Sequence, residues 1–509
     1  MKKYLLCKLF LVVFAVGMTA QHDHQGPCGT PSYKSEWLKK YQLHPEAYAV
    51  ERNELIYVPI AVNIVGDDNG GLFFNGIGIQ NALCTLNKDF EEAKIKFYLG
   101  KPIRYITDSR YARHDNVAEG YAMMQQYDEP TMINCYFMQD AAGNCGYNLP
   151  AAGMCVSINC ARPDDHTWAH EMGHQLALPH PFLGWEGGVS WDGSEAHDFN
   201  DPAPETVTYN YTSFKETWYT DTLIIDTAFV EKMDGSNCSI AADGFCDTKP
   251  DYLAARWACN ADLISITEQT DPNGVKFFSD GDLIMSYAND NCSSRFTPEQ
   301  IAAMRAKLMD SKAHVLGFED PQPLIEATAL TGMNPTDLEP IFPQDIELVW
   351  DEVENAKYYL VQLSIVESFG VVIYDSIVTS NALTIDELQF DNRDHYWRVK
   401  VFTDYEFCSD WLEGSGSFTP DESVGAHEAI AKDWKLYPTV LERGAELYLE
   451  ARSSIGNLTV NIFNSVGQLA SEQKSDKEGV INVSSLETGI YLVNISDGVS
   501  QHTQKIIIQ

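Results

Sequence analysis

At 509 residues the chain is too long for one ordinary hydrophobic core and calls for two to four domains. With 44% hydrophobic, 11% aromatic and 21% charged residues, it has the composition of a folded protein and not of a disordered one. A formal net charge of −38, from 73 acidic against 35 basic residues, argues against nucleic acid and anionic membrane surfaces as partners. That balance suits a soluble protein working outside the cell, one able to bind Ca²⁺ through carboxylates.

The chain opens like an exported protein. Lys2, Lys3 and Lys8 flank an apolar run from Leu9 to Val16, and the small residues Gly17, Thr19 and Ala20 follow. This pattern predicts a secretory signal peptide over 1–20, cut near Ala20. The run is too short to span a bilayer, and no later segment is apolar enough for a transmembrane helix. Of 12 cysteines, all but Cys7 lie beyond the predicted cut, which leaves an odd number. At least one thiol therefore lacks an intrachain partner, and Cys28, alone near the mature N-terminus, is the natural candidate. Cys135, Cys145, Cys155 and Cys160 form one cluster, and Cys238, Cys246, Cys259 and Cys292 another. Such clusters are expected to be disulfides that pin loops, with the connectivity left open.

Glu54 to Val65 is rich in β-branched and aromatic residues and reads as a buried strand. Ile79 to Lys94 has helical apolar spacing, with Leu83, Leu86 and Phe90 on one face. Ile95 to Leu99, Met132 to Met138 and Met154 to Ile158 read as further strands. Alternating strands and helices suggest an α/β or α+β layer. Pro163, Asp164 and Asp165 signal a helix start before Thr167 to Leu178. The texture changes after about residue 318, where Pro321, Pro323, Pro335, Pro340 and Pro343 mark a loose connection. Short strand-like runs follow at Ile346 to Trp350, Tyr358 to Ile365, Val371 to Val378, Tyr396 to Thr403 and Gly416 to Thr419. Their spacing is that of a small all-β sandwich over 325–420. A polar, acidic linker over Asp421 to Lys432 precedes a second set of short strands over 435–509.

The central chemical signal is His170-Glu171-Met172-Gly173-His174, with His180 six residues further on. On a helix, positions i and i+4 lie on one face, so His170 and His174 can point at one ion. Neutral imidazoles suit Zn²⁺, and three protein ligands leave a fourth position open for water. Glu171 sits beside them as a candidate general base for that water. With 13 histidines in the chain, chance predicts roughly 0.02 HExxH matches, and roughly 0.0006 with the third His. The bland alternative is a surface helix carrying three solvated histidines.

The extended pattern resembles the metzincin peptidases, whose motif continues through a Gly to a third His and is followed by a Met-turn. Ala177 stands where that Gly is usual. Asp282-Leu-Ile-Met285-Ser-Tyr287, followed by Asp290-Asn-Cys292, is similar to the Met-turn of the pappalysin-like (cytophagalysin) branch. Asp243-Gly-Phe-Cys246-Asp247-Thr248 and the strand at Tyr57-Val-Pro-Ile resemble that branch too. The resemblance spans roughly residues 50–315. It implies an α+β, metzincin-like zinc peptidase domain over 51–318 with a prosegment over 21–50. It implies Met285 as an apolar floor under the zinc and Tyr287 as an oxyanion donor, where a core tyrosine is the plain alternative. It also suggests Ca²⁺ near Asp247 and Thr248, against a simple hydrogen-bonded turn. Pro27-Cys28-Gly29-Thr30 resembles a Cys-Gly-Thr prosegment element, which implies Cys28 as a latency ligand; a disulfide is the alternative.

Trp350, Asn355-Ala356-x-Tyr358 and Tyr396-Trp397-Arg398-Val399 make residues 325–420 resemble a fibronectin type III domain, with a spacer or binding role. Leu436-Tyr437-Pro438, Val466-Gly467-Gln468, Gly489-Ile-Tyr491-Leu492-Val493 and Lys505 to Ile508 resemble the C-terminal sorting domain of type IX secretion in Bacteroidetes. That resemblance implies export through the periplasm by that machinery, then release or attachment at the cell surface. The fold expected is thus multidomain, an α+β peptidase domain followed by two all-β sandwich-like domains. The function expected is a secreted, zinc-dependent endopeptidase acting on protein or peptide. An inactive adhesin on the same scaffold, and a zinc hydrolase of other substrates, stand as alternatives.

Overall fold

The computed structural model describes residues 28–48, 54–186, 197–215, 218–316, 325–388, 393–421, 434–444, 446–451, 458–464, 467–475, 478–496 and 501–509. The signal peptide read over 1–20 and all but the first residue of the acidic linker lie outside them. The chain divides into two compact units. Unit 1 is Met1–Pro323 with Asp404–Cys408; unit 2 is Leu324–Thr403 with Ser409–Gln509.

Unit 1 is built on a six-stranded sheet. Helix α1 (Glu36–Leu43) precedes β1 (Ile56–Gly66), α2 (Gly76–Asp89), β2 (Ile95–Leu99) and β3 (Arg104–Thr107). Helix α3 (Val117–Tyr127) leads into β4 (Ile133–Met138), β5 (Gly146–Leu149) and β6 (Gly153–Ser157). The order is β2-β1-β4-β6-β5, with β3 continuing alongside β1. All pairings are parallel except β5 on β6. Parallel strands need both faces covered, which is why β1 and β4 are almost wholly buried and read as unbroken apolar runs. The edge strand β5 is antiparallel because a three-residue turn, 150–152, returns it beside β6.

Helix α2 starts where the Asn75 side chain accepts from Gly78 N, and it buries Ile79, Leu83 and Leu86. Helix α4 (Thr167–Gln175) is buried along its whole length and lies against β5, β6 and α2. After it come the two-stranded hairpin β7 (Thr206–Lys215) and β8 (Trp218–Phe229), irregular chain, and α5 (Pro298–Met309). Thr297 and Gln300 close a capping box at the start of α5.

The strand positions expected from sequence are found to within two residues. The helix expected to Lys94 ends earlier, at Asp89, because the chain must turn back into β2. Helices α1, α3 and α5 and the β7–β8 hairpin were not expected. The disulfides are Cys84–Cys408, Cys145–Cys160, Cys238–Cys246 and Cys259–Cys292. The expectation for the first cysteine cluster is corrected in part: Cys135 and Cys155 are free thiols, packed in the core on neighbouring strands β4 and β6. Cys28 is free, as expected.

Unit 2 holds two separate hydrophobic cores. One gathers Trp350, Trp397, Val399 and Phe418 between a five-stranded and a two-stranded sheet over 339–420. The other gathers Leu449, Val460, Val493 and Ile506 between a three-stranded and a five-stranded sheet over 434–508. Both have the β-rich, two-sheet build expected from the strand spacing. No helix among the described residues is long and apolar enough to cross a membrane.

Candidate metal centre

Helix α4 places His170 and His174 one turn apart on the same face. His180 arrives because the helix ends abruptly. Leu176 N and Leu178 N both return to Gly173 O, at 3.1 and 2.9 Å, and Ala177 takes φ +75°. This is the left-handed stop that glycine makes without strain and alanine makes at a cost of about 1 kcal/mol. Ala177→Gly is therefore expected to stabilise unit 1 by about 0.5–1 kcal/mol, a rise of about 1–3 °C in its melting temperature by calorimetry. An unchanged or lower melting temperature would refute the strain.

The three Nε2 atoms form a triangle: 3.2 Å from His170 to His180, 3.1 Å from His174 to His170, and 3.1 Å from His174 to His180. Cys28 Sγ lies 3.6 Å from His174 Nε2. A tetrahedral zinc with Zn–N of about 2.0–2.1 Å and Zn–S of about 2.3 Å requires N···N near ~3.3 Å and N···S near ~3.6 Å. The donor set and its spacing therefore fit zinc. These four residues make the one His/Cys/Asp/Glu cluster of metal-ligating geometry among the described residues.

The outer nitrogens are held as a metal ligand requires. His170 Nδ1 donates to Ile284 O at 2.8 Å, and His174 Nδ1 to Leu178 O at 2.7 Å. His180 Nδ1 faces Glu186 Oε1 at 3.4 Å. These bonds fix the tautomers, so each Nε2 offers its lone pair inward. Burial, with the neighbouring imidazole of His180, holds His170 down at about 3 and His174 well below the usual imidazole range. Both imidazoles are neutral at any physiological pH, as metal ligation would require.

Glu171 is fully buried, and its Oε1 has no hydrogen-bond partner. Its Oε2 accepts from Thr30 Oγ1 at 2.7 Å. Burial pushes its carboxyl up to about 8, against the pull of Thr30 and Cys28. A dication beside it would restore the carboxylate. Gly146 on β5 makes the room: a Cβ there would stand 2.8 Å from Glu171 Cγ. Met285 packs under the helix, where a Cβ on Gly173 would stand 2.4 Å from its Sδ. Tyr287 is buried between His180 and Phe182, with ring centroids 4.9 and 4.5 Å away, and its hydroxyl donates to Cys28 O at 3.5 Å.

The N-terminal segment fills the rest of the centre. Gly29 N donates to Gly146 O at 2.8 Å, and Asn148 N donates to Thr30 Oγ1 at 2.8 Å. The segment thus borrows the free edge of β5. Burial and the charge of Glu171 push the Cys28 thiol well above its ordinary range, so only a cation beside it would make it a thiolate ligand.

Asp247 and Thr248 are both engaged in hydrogen bonds. Asp247 Oδ2 accepts from Glu299 N at 2.8 Å at the start of α5, while Thr248 Oγ1 donates to Asp243 Oδ1 at 3.2 Å and Phe245 O at 2.9 Å. Gly146, Asn148 and Glu186 were missed from sequence, and Thr30 was read only as part of the Cys-Gly-Thr element, not as a partner of Glu171.

Residues 437–509 match the secretion system C-terminal sorting domain. The chain is therefore addressed for export by the type IX machinery and is secreted or held at the cell surface. No curated protein matches the chain. Among solved structures, a mutant of promirolysin from Tannerella forsythia is 15% identical, covering 57% of this chain and 97% of that one, with a TM-score of 0.37. The fn3 domain of the human collagen alpha-1(XX) chain is 22% identical, covering 21% of this chain and 91% of that one, with a TM-score of 0.14. At those scores neither likeness bears on the site.

Proposed function

We propose that the chain is an exported, zinc-dependent endopeptidase of the pappalysin-like metzincin kind, kept latent by its N-terminal segment. The observation that carries this reading is the triangle of imidazole nitrogens 3.1–3.2 Å apart with the Glu171 carboxylate beside it. When bound by His170, His174 and His180, zinc supplies Lewis acidity, which acidifies water and polarises a peptide carbonyl.

The chain's own groups supply the rest. Glu171 takes the proton of the attacking water and passes it to the leaving amine as the C–N bond breaks. Its buried site keeps bulk water from competing for that proton. Tyr287 already donates to a peptide carbonyl, that of Cys28, and would donate to the substrate oxygen as charge develops there. Strand β5 would pair with the substrate backbone as it now pairs with Gly29. Met285 keeps the floor apolar. Cys28, 3.6 Å from His174 Nε2, would take the place of the attacking water, and Thr30 would hold Glu171 through its Oε2 at 2.7 Å. The sandwich over 325–420 serves as a spacer.

Casein cleavage tests the reading. The chain freed of residues 1–48 should cut casein, lose at least 95% of that activity in 1,10-phenanthroline (roughly a threshold for an essential ion), and regain it with added zinc. Cleavage that survives chelation, or none despite one bound zinc per chain, would overturn it.

A further inference from the structure

A cavity of about 400 Å³ opens in unit 1 beside the metal centre. Its walls are the end of α4 at His174 and Ala177, β5 at Asn148, the approach to β4 at Asp128, and the turn after α5 at Lys312. Thr30 and Trp37 of the N-terminal segment roof it. The cavity therefore continues the cleft that the segment occupies.

Nearly all its charged groups are already engaged. Glu36 pairs with Lys39 at 2.9 Å, and Glu129 pairs with Lys101 and Arg104. Asp128 accepts from Tyr136 OH at 2.8 Å, and burial pushes it up to about 7, so part of it is protonated at neutral pH. Lys307 lies 4.8 Å over the Trp37 ring. Lys312 differs. Among the described residues its ammonium has neither a hydrogen bond nor an ion pair, and burial next to Lys307 holds it down at about 8. A cation withdrawn from water without a partner is costly, and an arriving carboxylate removes that cost through a charge-assisted hydrogen bond. Among the described residues no acid performs that task, although Asp128 and Glu129 line the same cavity.

We infer that this cavity is a substrate subsite that takes an acidic side chain near the cut bond, and that Lys312 sets the preference. This deepens the peptidase reading and rests on it. The overall charge of −38 makes the point sharper, because an acidic substrate approaching this surface gains nothing from the general field and depends on the local cation.

The test compares peptides that are identical except for Glu or Gln at each of the three positions on either side of the cut bond. The enzyme is the full-length chain after removal of its N-terminal segment. At one position kcat/KM should favour Glu over Gln by about tenfold, the worth of one charge-assisted bond. Lys312→Met should bring that ratio to about one, and Lys312→Arg should retain most of it. Each variant's ratio is its own control for folding. A Glu/Gln ratio near one at every position, or a ratio unchanged in Lys312→Met, would overturn the subsite. If no peptide is cut at all, the peptidase reading falls separately, and anisotropy of the same labelled peptides judges the subsite. Glu peptides binding about tenfold tighter than Gln peptides, only while position 312 is cationic, would then sustain it; equal binding would overturn it.

Discussion

Glu171→Gln should leave zinc bound and abolish peptide cleavage, lowering kcat by about 10²–10⁴-fold, the usual worth of a general base. The substitution keeps the size of the side chain, and the space beside Gly146 accepts either. It leaves His170, His174 and His180 untouched, together with the Ile284 and Leu178 carbonyls that orient two of them. What disappears is the capacity to hold a proton between water and leaving amine. Zinc per chain by atomic absorption, read beside kcat, separates this from a damaged site. Loss of both would mean that Glu171 supports the ligands. Retention of both would remove it from the chemistry.

The second large effect concerns the N-terminal segment. In the full-length, uncut chain, Cys28→Ala should raise activity about tenfold or more, because it removes the donor that sits 3.6 Å from His174 Nε2. Thr30→Val on top of it should raise activity again by several-fold, since Thr30 Oγ1 is what holds Glu171 Oε2 at 2.7 Å. Full activity is not expected from either. The segment is also anchored away from the metal, where Trp37 Nε1 donates to Asp310 Oδ2 at 2.6 Å and Leu38 is wholly buried. Tyr33 stacks on Tyr211 of β7 with centroids 5.2 Å apart. The comparison needs peptidase rates on uncut protein, with gels confirming that it stayed uncut. A Cys28→Ala chain as silent as the parent would move the cause of latency to these anchors.

How much of this was legible beforehand depends on the distance over which each feature acts. His170 and His174 were readable because the helix carries its own ruler, and four residues bring side chains back to one face. Ala177 was readable as a departure from glycine, and the structure gives the backbone reason, φ +75°. The apolar runs of β1 and β4 were readable because parallel strands bury both faces. Thr30 was not readable as a partner of Glu171, since the two are 141 residues apart and nothing local marks the pair. The same holds for Cys135 and Cys155. Their spacing suited disulfides, but β4 and β6 stand in parallel register and seat both thiols in the core. The β7–β8 hairpin went unread, although Thr206 to Tyr211 alternates in the way half-buried strands do.

If the segment over 28–48 is the latency element proposed, its place just before β1 in the sequence makes it an inhibitor tethered to its own target. A tethered ligand competes at an effective concentration on the order of millimolar, whatever the dilution of the protein. One cut between residue 48 and β1 changes the order of the equilibrium. The segment then has to find the cleft as a separate molecule, and outside the cell its own concentration is far too low for that. Severing the connection therefore matters more than destroying the inhibitor, and dilution into the medium completes what a single cut begins.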